Sequence, residues 1–109
     1  MMDADHYTYR VAWSPDDAEF VATAVEFPSL SWLAGKQEQA LIGLRKVVQG
    51  VLADMAATGE RPPEPLSVRH YSGQFRVRVP EPLHRRLASE AAEQGVSLNQ
   101  LVVSRLAGQ

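Results

Sequence analysis

The sequence of 109 residues contains no cysteine, which excludes disulfide bonds and thiolate metal sites. Its histidines, His6, His70 and His84, are scattered along the chain and are not spaced as metal ligands, so we expect no cofactor. No apolar run approaches the roughly 18 to 20 residues that cross a bilayer. The start of the chain, with Asp3 and Asp5, lacks the basic segment of a secretory signal. These absences predict a cytoplasmic protein.

Charge is present but unevenly divided along the chain. Residues 1–72 hold six Lys or Arg and ten Asp or Glu, a net charge of −4, whereas residues 73–109 hold five Arg and three Glu, a net charge of +2. A difference of sign between the two parts favours two different partners, one of which can be a polyanion. The difference is small, so it carries little weight by itself.

The first part of the chain has the pattern of a small β-β-β-α domain. Residues 7–13 alternate between apolar and polar side chains, which predicts a half-buried strand, and the turn-forming residues 14–17 connect it to a second strand over residues 19–27. Pro28 is expected to interrupt the pattern before a short third strand over residues 30–33. Three aromatic side chains of these strands are expected in the core, with an interface role left open for the last of them: Trp13, Phe20 and Trp32.

The longest periodic segment, residues 37–57, predicts an amphipathic helix because its apolar side chains recur at intervals of three and four. Gly59 occupies the place of a left-handed C-cap, and the Pro-rich residues 61–65 cannot continue a helix. Such a stretch predicts a stiff connector. Whether residues 66–71 add a strand to the first sheet or lie along the connector is undecided by the sequence.

A second pattern begins at residue 73. Residues 74–79 alternate strictly and predict a strand, residues 80–82 (Pro-Glu-Pro) are typical of a first helical turn, and Gly95 ends that helix. Residues 97–100 have the Ser-x-x-Gln form of a capping box that opens a second helix. The predicted order is strand, helix, turn, helix.

This second pattern predicts a dimer. A unit of about 36 residues without disulfide or metal is below the roughly 40 at which chains usually fold alone. Its single strand would also expose an apolar face and an unpaired row of N–H and C=O groups. An antiparallel copy of the same strand across a two-fold axis removes both problems, which predicts a homodimer or a higher even oligomer. The dimer core would contain Phe75, Val77 and Val79.

The opposite face of the paired strands would carry three polar side chains from each chain, Gln74, Arg76 and Arg78. Arg suits bidentate contact with guanine and Gln suits adenine, so we predict that these residues read bases in a major groove. The alternative is the solvated face of an ordinary strand. DNA phosphate can bind the free N–H groups at the N-terminus of the second helix, although a simple helix cap is the alternative there. These residues are Ser97, Leu98 and Asn99.

Two segments of the second part, residues 75–84 and 95–101, resemble the ribbon-helix-helix repressors, and the three polar strand residues match by position that family's base-reading residues. In the first part, residues 21–22, 26–31 and 38–41 are similar to the N-terminal domain of the HicB antitoxins. A small β-β-β-α domain followed by a ribbon-helix-helix domain is typical of one HicB subgroup. The two resemblances together therefore indicate the HicB family.

The resemblance implies an α+β fold. A HicB-like, reduced RNase H-like partner-binding domain would span residues 1–60, a Pro-rich connector residues 61–72 and a ribbon-helix-helix DNA-binding domain residues 73–109. It implies an antitoxin of a type II toxin–antitoxin system that neutralises a HicA-like, mRNA-cleaving toxin and represses its own operon by binding operator DNA. The alternative is a stand-alone transcriptional regulator with no dedicated toxin. The chain departs from its relatives before the long helix, where they often carry Asp-Thr and it has Gly35-Lys36.

The likeness to RNase H raises a third alternative, a metal-dependent nuclease. That chemistry needs several carboxylates that converge on divalent metals. The acidic candidates, Asp16, Asp17, Glu19 and Glu26, are spread too far along the hairpin to suggest one cluster, and the first two suit a turn. We therefore expect a binding protein and not an enzyme.

Overall fold

The structure is a computed structural model that describes residues 3–108. The architecture is α+β, with a three-stranded antiparallel sheet followed by helices, as the sequence predicts. A short 3-10 helix at Ala4–His6 precedes β1 (Tyr9–Ser14), β2 (Glu19–Ala24), β3 (Phe27–Ala34), α1 (Gln37–Thr58), α2 (Glu81–Gln94) and α3 (Leu98–Leu106). The chain divides into two compact units, of which the first ends at Tyr71 and the second begins at Ser72. Within residues 3–108 no helix is long and apolar enough to cross a membrane.

The sheet has the strand order β1-β2-β3, and β2 is antiparallel to both neighbours. The expectation that Pro28 interrupts the strands is wrong, because Pro28 lies inside β3. The register shifts between Thr23, which lies opposite Ser31, and Ala24, which lies opposite Phe27. This bulge leaves Pro28 on an edge strand without a partner residue, where its missing N–H breaks no ladder hydrogen bond.

Helix α1 packs on one face of the sheet and forms the core of the first unit with it. Ala22 and Ala24 of β2 and Ala40 of α1 are buried where the two layers meet, and their small side chains let the helix approach the sheet closely. Larger apolar side chains recur along α1 and complete the core, each contributing about 1.5 to 3 kcal/mol when fully buried. They are Leu44, Val48 and Leu52.

Two of the three aromatic side chains expected in the core are largely exposed. Trp13 is 52% exposed and Trp32 is 45% exposed, whereas Phe20 is partly buried. Trp13 lies opposite Phe20 near the turn of the β1–β2 hairpin, with 5.1 Å between the ring centroids. Trp32 lies on the edge strand β3 against Gly43 of α1, which has no side chain to cover it. Both indoles therefore lie at the margin of the core and not inside it.

The predicted helix ends are confirmed. Gly59 and Gly95 adopt left-handed conformations, with φ of 77° and 71°, and cap α1 and α2. Ser97 and Gln100 form both hydrogen bonds of the capping box that opens α3. Lys36 is the N-cap residue of α1 and makes no side-chain cap bond, so this helix begins without a side-chain cap.

Residues 66–71 form no strand. Val68 and Arg69 donate their N–H groups to the Pro65 carbonyl, at 3.2 and 3.1 Å, and so form a turn. The Pro65 side chain is fully buried. Residues 65–69 of the predicted connector are therefore packed on the first unit. The connector is not a free linker over its whole length.

Candidate nucleic-acid interface

Residues 74–79, which the sequence predicts as a strand, are neither strand nor helix in the single chain, and all of them are exposed. A strand requires a hydrogen-bonded neighbour, and no other segment within residues 3–108 pairs with this one. Phe75 is 78% exposed, Val77 62% and Val79 41%. The segment therefore has the sequence of a strand but leaves its apolar side chains uncovered by its own chain.

The helices of the second unit bury little apolar surface. In the described part of this unit, the buried residues are Ala91 of α2 and Leu101 of α3, and a salt bridge joins Glu90 to Arg105. Larger apolar side chains of the unit remain exposed: Val96, Val103 and Leu106. The second unit thus exposes more large apolar side chains than it buries, which is unusual for a domain that folds alone.

The predicted base-reading residues, Gln74, Arg76 and Arg78, lie at alternate positions of the exposed segment. Neither arginine forms a salt bridge with another residue of the described chain. At the start of the segment the Ser72 hydroxyl accepts a hydrogen bond from the Gln74 N–H (3.1 Å) and donates one to the Gln74 carbonyl (3.2 Å). A defined turn therefore leads into the segment, and both guanidinium groups are available to an external partner.

Another cation of the second unit, Arg86 on α2, is also exposed and outside every salt bridge between described residues, whereas its neighbour Arg85 pairs with Glu81. Arg86 carries no signal in the sequence, because a charged position on a helix is usually only a solvated surface. Its charge adds to the positive balance of this unit.

The predicted phosphate-binding residues lie at the first turn of α3. The Ser97 hydroxyl accepts a hydrogen bond from the Gln100 N–H (3.0 Å), and the Gln100 side chain accepts one from the Ser97 N–H (2.9 Å). The Ser97 side chain is therefore committed to the helix cap. The N–H groups of Leu98 and Asn99 have no acceptor within residues 3–108, so an anion at this helix end would bind the backbone at these two positions.

The first unit has a shallow apolar groove of about 440 Å³ between β3 and α1. A Cβ atom at Gly43 would lie only 2.1 Å from the Trp32 indole, so the indole can lie on the helix because this position is glycine. The half-exposed Trp32 makes the groove accessible, and its role as an interface anchor stays a prediction. The lining residues are Trp32, Gln39, Ile42, Gly43, Lys46 and Val47.

The acidic residues of the first hairpin do not converge. Asp16 and Asp17 lie in the β1–β2 turn, where the Asp17 carboxylate accepts a hydrogen bond from the Ser14 hydroxyl (2.8 Å). Glu26 lies in the β2–β3 turn, at the opposite end of β2. Within the described chain, no three His, Asp or Glu side chains are grouped so that they could hold a metal ion.

The chain is thus an α+β protein of two units, the second of which presents an uncovered, arginine-bearing segment before two helices. Residues 57–106, which include the end of α1, the connector and nearly all of the described second unit, match the sequence model of the HicB family. No curated protein and no solved structure gives a significant match. The predicted relationship to the HicB family is confirmed over these residues, and it indicates a role related to toxin–antitoxin systems. The sheet and most of α1 lie outside the matched stretch.

Proposed function

We propose that this protein is an antitoxin of the HicB type that binds operator DNA as a dimer through its second unit and blocks a HicA-like, mRNA-cleaving toxin through its first. In this role it acts by binding and not by catalysis. The observation that carries the proposal is the exposed segment 74–79, in which uncovered apolar side chains alternate with unpaired arginines. The match to the HicB family supports the assignment to a toxin–antitoxin system.

Dimerisation would bury the apolar side chains that are exposed in the single chain. Antiparallel pairing of two copies of residues 74–79 would form a two-stranded ribbon, satisfy the backbone groups of both and bury Phe75, Val77 and Val79 between the chains. Full burial of such side chains stabilises by roughly 1.5 to 3 kcal/mol each, so covering their present exposures gives about 3 to 5 kcal/mol per chain. The exposed Val103 and Leu106 of α3 provide further apolar surface for the same interface.

DNA binding would explain the arginines. Two copies of Arg76 and Arg78 on one narrow ribbon face repel one another in the free dimer. Against a major groove the same side chains gain bidentate hydrogen bonds to guanine, and Gln74 can bond adenine. Phosphate bound to the N–H groups of Leu98 and Asn99 would fix the register of the ribbon on the duplex.

An anisotropy titration on a labelled fragment of the protein's own promoter tests this assignment. Replacing Arg76 or Arg78 with Ala is expected to weaken specific binding by roughly 1 to 3 kcal/mol, about 5- to 150-fold, without loss of folding. Arg10→Ala is the matched control, because Arg10 is an exposed arginine on β1 of the first unit. Losses at Arg76 and Arg78 no larger than the loss at Arg10 would contradict base reading by the ribbon.

Toxin binding rests on the family match and on charge. Residues 1–72 carry a net charge of −4, and opposite charge would favour the encounter with a basic toxin. Co-expression with the adjacent reading frame, with a tag on this chain, is expected to co-purify a small basic protein. That protein should be toxic when it is expressed alone and harmless in the complex. Failure of any such protein to co-purify would remove the antitoxin part of the proposal.

One observation favours a second candidate, a stand-alone regulator without a toxin. The family match begins at residue 57, so the sheet and most of α1, which form the core of the unit assigned to toxin binding, lie outside it. In that case promoter binding would persist, while deletion of the neighbouring gene would change nothing and no toxicity would be found. The two candidates share the DNA-binding ribbon and differ only in the partner of the first unit.

A further inference from the structure

One carboxylate joins three parts of the first unit that are distant in the chain. Glu26, in the β2–β3 turn, accepts a hydrogen bond from the Thr8 N–H at 2.9 Å with one oxygen. Its other oxygen accepts bonds from the Thr8 hydroxyl at 3.1 Å and from the Leu66 N–H at 2.9 Å. Thr8 precedes β1 and Leu66 belongs to the connector, so this single side chain ties the connector to the end of the β1–β2 hairpin at which β1 begins and β2 ends.

Neutral contacts hold the same stretch of connector. The Tyr7 hydroxyl donates a hydrogen bond to the Pro63 carbonyl (2.7 Å), and the Ser67 hydroxyl donates one to the His6 carbonyl (2.6 Å). Pro65 lies between these two points with its side chain fully buried. The contacts therefore surround Leu66, and Glu26 supplies the only ionised acceptor among them.

We propose that Glu26 is a latch that fixes residues 63–69 of the connector on the first unit, and that its release turns these residues into free tether for the second unit. Hydrogen bonds to a carboxylate are about twice as strong as hydrogen bonds between neutral groups. Loss of the Glu26 carboxylate therefore weakens the attachment of residues 63–69 to the first unit more than loss of either neighbouring contact. Release would lengthen the free tether by roughly 20 to 25 Å when extended. The inference does not rest on the proposed function, because it requires neither DNA nor a toxin.

The surroundings of Glu26 keep the latch ionised at neutral pH. Burial raises the pKa of Glu26, but the hydrogen bonds from Leu66 and Thr8 together lower it by more than burial raises it. The pKa of Glu26 therefore lies below the ordinary glutamate value. The titratable groups that interact with it are the phenols of Tyr7 and Tyr9, whose own pKa values are raised, chiefly by burial. The Arg45–Asp5 pair lies beyond them, beside Tyr9. The hydrogen bonds to Leu66 and Thr8, and not a neighbouring cation, are therefore what hold the carboxylate in its charged form.

Limited proteolysis with trypsin on the full chain tests the latch. Cleavage after Arg69 requires the connector to leave the first unit. Cleavage after Arg76 takes place in the second unit and does not depend on that release, whether or not residues 74–79 are paired, so its rate is an internal reference. Glu26→Ala is expected to raise the rate after Arg69 roughly tenfold or more relative to that reference, and Glu26→Gln to raise it less. Glu19→Ala is the matched control, because Glu19 is a partly buried glutamate of β2 with no side-chain hydrogen bond in the described chain.

A measurement on the unaltered protein decides the matter should Glu26→Ala fail to fold. In NMR spectra the Leu66 amide is expected to be protected from hydrogen exchange at neutral pH, and its proton shift should follow the titration of the Glu26 carboxylate, with a midpoint below the ordinary glutamate pKa. A protected Leu66 amide whose shift follows the Glu26 titration supports the latch, and faster Glu26→Ala cleavage after Arg69 supports it where that variant folds. An unprotected Leu66 amide that does not respond to the titration, or equal Arg69 cleavage in the Glu26→Ala and Glu19→Ala variants, overturns it.

Discussion

Val77→Ala isolates the proposed dimer interface, because Val77 is 62% exposed in the single chain and would be covered only by a partner. The substitution removes two methyl groups, and burial of each stabilises by about 0.8 kcal/mol. Scaled by the fraction that the partner would cover, the loss is about 1 kcal/mol per chain. Both chains of a dimer carry it, so we expect a loss of about 2 kcal/mol, a rise of roughly 30-fold in the dimer dissociation constant.

Sedimentation equilibrium over a dilution series measures this constant directly. Val25→Ala is the matched control, because Val25 is 57% exposed and lies in the β2–β3 turn of the first unit. In a monomer the two valines are nearly equivalent, so their substitution would have equal and small effects. The dimer predicts a large effect at Val77 and none at Val25. Equal effects at the two positions, or a wild-type protein that is monomeric at micromolar concentration, would refute the interface.

Three further predictions concern stability and follow from the local contacts. Because the folded pKa of Glu26 is lowered, its stabilisation is complete above the unfolded pKa and is lost as the pH falls through the folded pKa. Denaturant midpoints should therefore decline over this acidic range more in wild type than in Glu26→Gln. Gly43→Ala should destabilise the first unit because its Cβ would displace the Trp32 indole, whereas Gly50→Ala on the same helix has open space and should stabilise by roughly 0.5 to 1 kcal/mol in urea unfolding. Ser97→Ala should cost about 1 kcal/mol of stability through loss of the α3 cap, measured by the thermal midpoint of the dimer.

Signals that depend only on neighbouring residues predicted the structure well. Gly59 and Gly95 end their helices as expected, and the spacing of Ser97 and Gln100 was sufficient to place the capping box. The apolar repeat located α1 to within one residue at its end. In each case the physical cause lies within a turn of helix, so the sequence contains it completely.

Features that depend on distant parts of the chain were not predictable in the same way. Pro28 is tolerated because a register shift brings Ala24 opposite Phe27, which no local pattern reveals. The attachment of the connector to the first unit depends on a hydrogen bond between Glu26 and Leu66, which are forty residues apart in the chain. From the sequence Glu26 is only an acidic residue near the end of a predicted strand, and its role emerges once the connector is placed beside it.

The candidate site falls between these two cases. Alternation over residues 74–79 predicts a strand, and the single chain confirms the exposure of its apolar side chains but supplies no neighbour for pairing. Pairing is a property of two chains, so neither the sequence nor one folded copy contains it completely. The same holds for the arginines, whose geometry on a ribbon depends on the two-fold axis.

The number of chains on a single promoter site tests the central claim most directly. Sedimentation velocity of a labelled promoter fragment with the wild-type protein, at about physiological salt, is predicted to show chains added in pairs, with binding that weakens steeply as salt is raised. The Arg76→Ala, Arg78→Ala double variant should lose this complex while remaining dimeric. A complex with one chain per site, or binding no stronger than that to an unrelated fragment of equal length, would contradict the account.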